Sequence, residues 1–182
     1  FSDAAVEGGR VGEIGTEPGV LPFGALKAIT DVEGVLVGHV TLTDGNAINT
    51  GATTILPHGG NPYRDRVPAG FHQGNGYGKF AGSTQIIEIG ELETPIILTN
   101  TLSVPQGMEA AISWTLKQPG NVDVRSVNAV VGETNDGFLN DIRGRHLRAH
   151  DIEKAIESAK SGPVEQGSVG AGRGTISFGW KG

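Results

Sequence analysis

Two kinds of hydrophobic spacing alternate along the chain, one typical of strands and the other typical of helices. Apolar and polar residues alternate over 35–43, and an apolar run at 52–56 ends at Pro57. Glycine accepts the backbone angles that a tight turn needs, so the run 31–34, which ends in Gly34, favours a β-hairpin between 28–30 and 35–43. The first third of the core is therefore predicted to be β-rich.

The middle of the chain changes character. Residues 58–82 hold seven glycines and little periodicity, which predicts long loops with one short strand at 69–72. A short helix at 84–90 and a strand at 95–99 are expected next. Long ordered loops between such elements are where functional sites tend to lie.

Helical spacing dominates the second half. Ser103 is predicted to cap a helix that has Pro105 in its first turn and ends at Pro119-Gly120. Its inward face is predicted to consist of Met108, Ala111, Ile112, Thr115 and Leu116. The continuous apolar run 127–131 predicts a strand buried on both faces, and 151–160 predicts a second amphipathic helix, closed by Gly162-Pro163.

Strands and helices intermixed in this way favour an α+β layered sandwich. A chain of 182 residues buries roughly 70% of the surface that its unfolded form exposes. We therefore expect 25–182 to form most of one domain, preceded by an N-terminal arm at 1–24 that is rich in Gly, Glu and Pro.

Composition narrows the choice of partners. A formal charge of −6 and a pI near 5.3 disfavour a nucleic-acid partner, whose phosphates require a basic face. No apolar run reaches the roughly 18 to 20 residues that cross a bilayer, so no membrane partner is expected. With no cysteine, the chain has neither a disulfide framework nor a cysteine nucleophile.

The glycine-rich run 167–174 invites comparison with loops that bind phosphate through backbone N–H groups. It follows a helix and leads into the predicted strand 175–178, which is the reverse of a dinucleotide fingerprint, and it lacks the Walker lysine. We favour a loop whose backbone passes close to another segment. A lining role at an active site remains open.

Metal and hydrolase motifs are weak. Only His146 and His150 have the spacing of a helical metal pair, and no HExxH pattern surrounds them. No GxSxG nucleophile elbow occurs. We therefore expect neither a metal nor a cofactor.

The polar residues that follow the two predicted central strands are the better candidates. Glu133 and Asn135 come directly after the apolar run 127–131, and Asn100 follows the strand 95–99. A carboxylate at the end of a rigid strand can receive a substrate ammonium. The alternatives, a solvated Asn-Asp-Gly turn and a hydrogen-bonded strand end, stay open on spacing alone.

Together these segments resemble the L-aminopeptidase/D-esterase and β-peptidyl aminopeptidase (DmpA/BapA) family. The resemblance rests on the runs 28–39, 50–57, 98–101, 132–142 and 167–182, in order from Leu26 to Gly182. It is specific because the pieces occur together.

The resemblance implies a four-layer αββα sandwich of the type shared with ornithine acetyltransferase, and a precursor that cuts itself before a serine. That serine, on a companion β chain, would be the nucleophile, so no catalytic residue is expected in this chain. The implied protein is a serine aminopeptidase or amidase for short peptides, amides or esters with a free amine, D- and β-amino acids included, and a higher homo-oligomer of the two-chain unit. Glu133 would hold the amine, with Asn135 in a neighbouring position.

Two departures concern the glycine-rich loop, since the family usually has Asn at Ser168 and Thr at Arg173. Family members also continue past Lys181-Gly182, so we do not expect Gly182 to be the cleavage junction. The chain starts at Phe1 rather than at an initiator Met, so we expect that an upstream segment was processed, trimmed or left out. The compartment stays open between bacterial cytoplasm and periplasm, with the periplasm preferred. Two alternative functions remain: an acetyltransferase with a threonine nucleophile, and a binding protein of the same fold without catalysis.

Overall fold

A computed structural model describes residues 19–177 and the backbone of 180–181. Its strands and helices, in chain order, are β1 (Leu36–Asp44), β2 (Ile48–Leu56), β3 (Val67–Pro68), β4 (Phe80–Ala81), α1 (Ser83–Ile89), β5 (Glu91–Leu92), β6 (Ile96–Asn100), α2 (Val104–Lys117), β7 (Val130–Thr134), α3 (Ala149–Glu157), β8 (Ile176–Ser177) and β9 (Trp180–Lys181). Helices and strands are intermixed, as the α+β expectation required. No helix within these ranges combines the length and the apolar character needed to cross a membrane.

A five-stranded mixed sheet organises the chain, in the order β1-β2-β6-β7-β4. The pairs β1/β2, β2/β6 and β4/β7 are antiparallel, whereas β6 and β7 are parallel. Two small sheets, β3-β5 and β8-β9, accompany it. Because β6 and β7 run in the same direction, their carboxyl ends meet at one edge of the sheet.

Helices α2 and α3 pack together against one face of this sheet. The core between them contains the fully buried Ala52, Ile97 and Val131 from the strands and Ile152 from α3. The close approach of α3 explains a glycine in β1, because a Cβ on Gly38 would lie 1.9 Å from the Ala155 carbonyl oxygen. Small residues thus allow the helix to touch the sheet backbone.

The predicted hairpin of 28–30 with 35–43 is wrong. Residues Ile29–Asp31 form a 3-10 turn, in which the Asp31 carboxylate accepts N–H bonds from Leu26 at 2.9 Å and Ala28 at 3.1 Å. Such side-chain to backbone bonds compete with strand pairing. The real hairpin joins β1 to β2 through a turn that contains Gly45, whose φ is +51°.

Two strand boundaries also differ from the prediction. The short strand predicted at 69–72 is wrong, since Val67–Pro68 pairs with Glu91–Leu92 instead. The strand predicted at 127–131 forms at Val130–Thr134, because the backbone N–H of Asn128 is bound at 2.8 Å by the Glu93 carboxylate rather than by a neighbouring strand. The predicted burial holds for Val130, Val131 and Gly132.

The helices are nearer to expectation. The helix predicted at 84–90 is present as Ser83–Ile89, and the one predicted at 151–160 is present as Ala149–Glu157. The latter ends early because Lys160 pairs with Val37 in a β-bridge at the edge of β1.

Helix α2 has Pro105 in its first turn, as predicted, but its cap and its buried face differ. Ser103 makes no capping bond; instead the Asn100 side chain accepts from the backbone N–H groups of Leu102 and Ser103. Met108 and Leu116 are 37% and 44% exposed. The buried positions are Val104, Gly107, Ala110, Ala111 and Thr115, so mainly small residues face the sheet.

The proposed division into an arm at 1–24 and a domain at 25–182 stays a prediction. Residues 1–18 lie outside the described residues, and so does Phe178 of the predicted strand 175–178. Residues 19–24 are exposed and belong to neither a helix nor a strand.

Candidate active site

The carboxyl ends of β6 and β7 place two of the predicted site residues at one edge of the sheet. In the parallel register Asn100 lies beside Thr134, and Thr99 lies beside Glu133. Asn135 follows at once in the loop after β7. The structure therefore brings these residues to one edge of the sheet, each in different surroundings, and their binding roles stay predictions.

Glu133 is a partly buried carboxylate with a cation beside it. Its side chain is 12% exposed, and its Oε2 atom accepts a 3.0 Å hydrogen bond from the Lys79 backbone N–H. The Lys79 Nζ atom lies 3.4 Å from the same oxygen. A carboxylate held in this way on a strand end is suited to bind an ammonium group.

Asn100 is buried, and both ends of its amide bind protein groups. Its Oδ1 atom caps the turn before α2, accepting from Leu102 N at 3.1 Å and Ser103 N at 2.9 Å, and its Nδ2 atom donates to Thr50 Oγ1 at 2.8 Å. This arrangement fixes the ends of β2 and β6 relative to α2. Direct contact between Asn100 and a substrate stays a prediction.

Asn135 is exposed at the start of the loop. Its Oδ1 atom accepts a 3.0 Å hydrogen bond from the backbone N–H of Gly137, two residues further on, which forms an Asx-turn. Its substrate-binding role is untested by the geometry and stays a prediction.

Asp136 was missed as a functional residue because sequence reasoning treated it as part of a turn. It is 1% exposed, and the polar side chains of Thr50, Asn140 and Asn100 surround it. Burial raises the pKa of the Asp136 carboxyl above its usual range, and these polar neighbours oppose that shift in part. We call Thr50, Asn100, Asp136 and Asn140 the Asp136 cluster.

The Asp136 cluster joins distant parts of the chain. Asn140 Oδ1 accepts a 3.0 Å hydrogen bond from the backbone N–H of Asn49 at the start of β2. Asp136 Oδ1 is buried and has no hydrogen-bond partner among the described residues. No local spacing could have revealed this set, since its members come from β2, β6 and the loop after β7.

The glycine-rich run 167–174 packs against the sheet near the same edge. Its 3-10 turn at Gly170–Gly172 donates from Gly170 N to Thr41 Oγ1 at 2.8 Å and from Ala171 N to Thr53 Oγ1 at 3.0 Å. A Cβ on Gly170 would lie 2.4 Å from Thr53 Oγ1. The interpretation of a close backbone approach is therefore correct, and these two N–H groups are not free to bind phosphate.

The two positions that depart from the family pattern contact each other. Arg173 Nη1 donates to Ser168 Oγ at 3.1 Å, and Arg173 Nη2 donates to Asn49 Oδ1 at 2.7 Å. Asn49 also contacts Asn140, so this pair connects the glycine-rich run to the Asp136 cluster. The departures thus form one local unit.

The histidines have local partners. His146 Nε2 lies 3.1 Å from Asp141, and His150 Nε2 lies 3.1 Å from Asp151. Across the part of the chain that the structure describes, no three His, Asp or Glu side chains are grouped as metal ligands are.

A cavity of about 210 Å³ lies beside β1, the strand at the opposite edge of the five-stranded sheet from β7 and β4. His39 lines it, and burial lowers the pKa of that imidazole. Two strands, β2 and β6, separate β1 from β7. The cavity is therefore distinct from the Glu133 edge, where the predicted site residues meet.

One protein-family model matches most of the chain. The model of Peptidase family S58 matches residues 27–182. The chain belongs to peptidase family S58.

Curated and solved relatives of this S58 chain are aminopeptidases where their names state an activity. The β-peptidyl aminopeptidase BapA of Sphingosinicella microcystinivorans is 39% identical over 189 residues, which cover 98% of this chain and 46% of that protein. The chain thus spans about half the length of the curated relatives that it matches.

Solved structures share its fold, and two of them illustrate the likeness. The PH0078 protein from Pyrococcus horikoshii OT3 superposes with a TM-score of 0.89 at 44% identity, over 94% of this chain and 51% of that one. The L-aminopeptidase D-Ala-esterase/amidase from Ochrobactrum anthropi, described as a variant of the Ntn hydrolase fold, gives 0.82 at 34% identity, over 91% and 48%. The expected α+β fold of the DmpA type and the family resemblance are confirmed.

Proposed function

We propose that this chain is the amine-binding part of a serine aminopeptidase or amidase. Its substrates would be short peptides, amides or esters with a free N-terminal amine, D- and β-aminoacyl groups included. The observation that carries the proposal is Glu133, a partly exposed carboxylate on the rigid end of β7. The names of the S58 relatives, a β-peptidyl aminopeptidase and an L-aminopeptidase, support the same activity.

We further propose that the nucleophile comes from a companion chain of the same precursor that begins with serine. An N-terminal serine carries a free α-amine that can act as the base, whereas a serine inside a chain cannot use this device. The coverage of about half the relatives' length leaves room for such a chain. The two-chain unit would in turn assemble into a larger homo-oligomer.

In this mechanism the serine hydroxyl adds to the carbonyl carbon of the scissile bond while the α-amine takes its proton. The leaving group departs with that proton and leaves an aminoacyl ester on the serine. Water then adds to the ester with the same base, and the free acid is released. Glu133 holds the substrate ammonium, which fixes the acyl carbon relative to the nucleophile.

The test is to express the full precursor, to sequence the N-terminus of whatever chain co-purifies with residues 1–182, and to assay an aminoacyl amide beside its N-acetylated form. We expect an N-terminal serine and hydrolysis of the free amine only. An N-terminal threonine would favour the acetyltransferase alternative, and an uncut, inactive protein would favour a binding role.

Expression of residues 1–182 alone is the matching control. We expect it to be inactive and poorly soluble, because the nucleophile and the covering half of the fold are missing. A soluble, active 182-residue monomer would contradict the two-chain proposal.

A further inference from the structure

A lysine lies against the carboxylate proposed to hold the substrate amine. Lys79 is bound to Glu133 twice, through its backbone N–H at 3.0 Å and through Nζ at 3.4 Å from the same oxygen. The Glu133 backbone N–H in turn donates to the Lys79 carbonyl at 3.1 Å. The backbone of Lys79 is therefore fixed beside Glu133 independently of its side chain.

The Lys79 side chain faces open surroundings. It is 54% exposed, and its Nζ atom lies 5.6 Å from the ring centre of Tyr77, which is itself 92% exposed. Every residue of 72–80 is exposed, and a Cβ added to Gly74 would meet no atom within 4 Å. The Lys79 ammonium is therefore accessible beside a carboxylate that is itself 12% exposed.

The pair imposes a charge rule on any ligand that binds there. A ligand ammonium on Glu133 comes within a few ångströms of the Lys79 ammonium, and like charges at that separation repel. A ligand that also carries a carboxylate next to its amine places that group near Lys79, where it is attracted. The two protein charges match the two charges of such a zwitterion.

We propose that Lys79 is a specificity-determining residue that favours substrates whose N-terminal acyl residue carries a carboxylate beside the free amine. The inference rests on the proposed function, since it takes Glu133 as the ammonium site. The substrates favoured in this way are amides of aspartic acid, in which the scissile bond is formed by either the α- or the β-carboxyl group.

A purely structural role for Lys79 makes a different prediction. If Nζ only kept Glu133 in position, its removal would weaken binding of every amine substrate by the same factor. A charge-selective role changes the ratio between two substrates that differ by one charge. The ratio therefore separates the two roles.

The experiment uses the full-length protein and two nearly isosteric substrate pairs. One is α-aspartyl against asparaginyl p-nitroanilide, and the other is β-aspartyl p-nitroanilide against its α-carboxamide. The variants are Lys79→Met and Lys79→Arg. Lys154→Met is the matched control, because it removes an ammonium of similar exposure that pairs with Asp151 on α3.

Of the two substrate pairs, the one that the parent hydrolyses faster is used for the comparison. Within that pair, we expect a higher kcat/KM for the acidic member than for the neutral member. Lys79→Met should reduce that preference about two- to fivefold, the range of a solvent-exposed charge pair. Lys79→Arg and Lys154→Met should keep it. The change should lie in KM rather than kcat.

An unchanged ratio in Lys79→Met, or a parent that hydrolyses neutral aminoacyl anilides but neither acidic substrate, would overturn the inference and leave the proposed function intact. A full-length protein that hydrolyses no aminoacyl amide would overturn the proposed function, and this inference with it.

Discussion

Two carboxylates three positions apart, Glu133 at the end of β7 and Asp136 in the loop after it, have different surroundings. Glu133 is partly exposed and faces Lys79 on an open segment, whereas Asp136 is 1% exposed within a set of neutral hydrogen-bonding side chains. The Lys79 side chain of this ion pair is 54% exposed, so its ammonium can give way to a ligand at small cost. A buried carboxylate cannot lose its partners without a large penalty, so we assign ligand binding to Glu133 and a framework role to Asp136.

The largest expected effect is on the Glu133 side. Glu133→Gln keeps the volume and removes the charge, so a charge-assisted hydrogen bond of about 1.5 to 3 kcal/mol is lost. We expect kcat/KM for aminoacyl amides to fall roughly 10- to 150-fold, with folding preserved. Full activity in a folded Glu133→Gln protein would remove the distinction between the two carboxylates.

The Asp136 cluster should respond in stability instead. Asp136→Ala removes a buried carboxyl that the polar side chains of Thr50 and Asn140 surround, and leaving such buried polar groups unsatisfied costs about 1 to 3 kcal/mol in the free energy of unfolding. The control Asp123→Ala removes an exposed carboxylate paired with Arg64, and we expect a change of no more than about 0.5 kcal/mol. Denaturant unfolding of the full-length protein measures both, and equal effects would contradict a framework role.

Sequence reasoning placed elements well where the signal was local. The helix predicted at 84–90 is present as Ser83–Ile89 and ends at Gly90, whose φ is +68°. Glu133, chosen because it follows an apolar run, lies at the end of β7, and its binding role stays a prediction. The hairpin was misassigned because the run 31–34 has the composition of a hairpin turn, whereas the Asp31 side chain binds the backbone of Leu26 and Ala28 and holds this segment in a 3-10 turn. The error arose from local hydrogen bonds that hydrophobic spacing does not record.

The Asp136 cluster could not be predicted from the spacing of residues in the sequence. Thr50 lies in β2, far from Asp136 in the sequence, and the pairing of β2 with β6 and of β6 with β7 brings the two together, whereas Asn140 is only four residues from Asp136. Lys79 was missed for the same reason, since it reaches Glu133 through the pairing of β4 with β7. Long-range register decides these contacts.

The pH dependence of stability offers a smaller test of the same contrast. Burial raises the pKa of Asp136, so the folded state keeps its proton to higher pH than the unfolded state does. This contribution to stability is present below the unfolded pKa and is lost as pH rises through the folded pKa. Asp136→Asn should therefore lack a decline that the parent shows as pH rises from about 4 towards neutrality; parallel curves would contradict the assignment.

The smallest effect is expected where the glycine-rich run meets the framework. Arg173 bonds to Ser168 and to Asn49, so a double-mutant cycle with Arg173→Ala and Ser168→Ala should give a coupling energy of about 0.5 kcal/mol in stability. We expect little change in kcat/KM, because Arg173 and Ser168 connect to the Asp136 cluster through Asn49 and not to Glu133. A large loss of activity without a loss of stability would instead place this loop in the substrate site.

The most direct measurement compares two substrates that differ only in the ammonium: an alanyl anilide and its des-amino propionyl analogue, assayed with the full-length parent and with Glu133→Gln. The account predicts that the parent strongly prefers the amine and that Glu133→Gln loses roughly 10- to 150-fold of that preference, since the propionyl substrate never uses Glu133. If the parent prefers the amine and Glu133→Gln prefers it to the same degree, the ammonium is bound elsewhere and the central claim is contradicted.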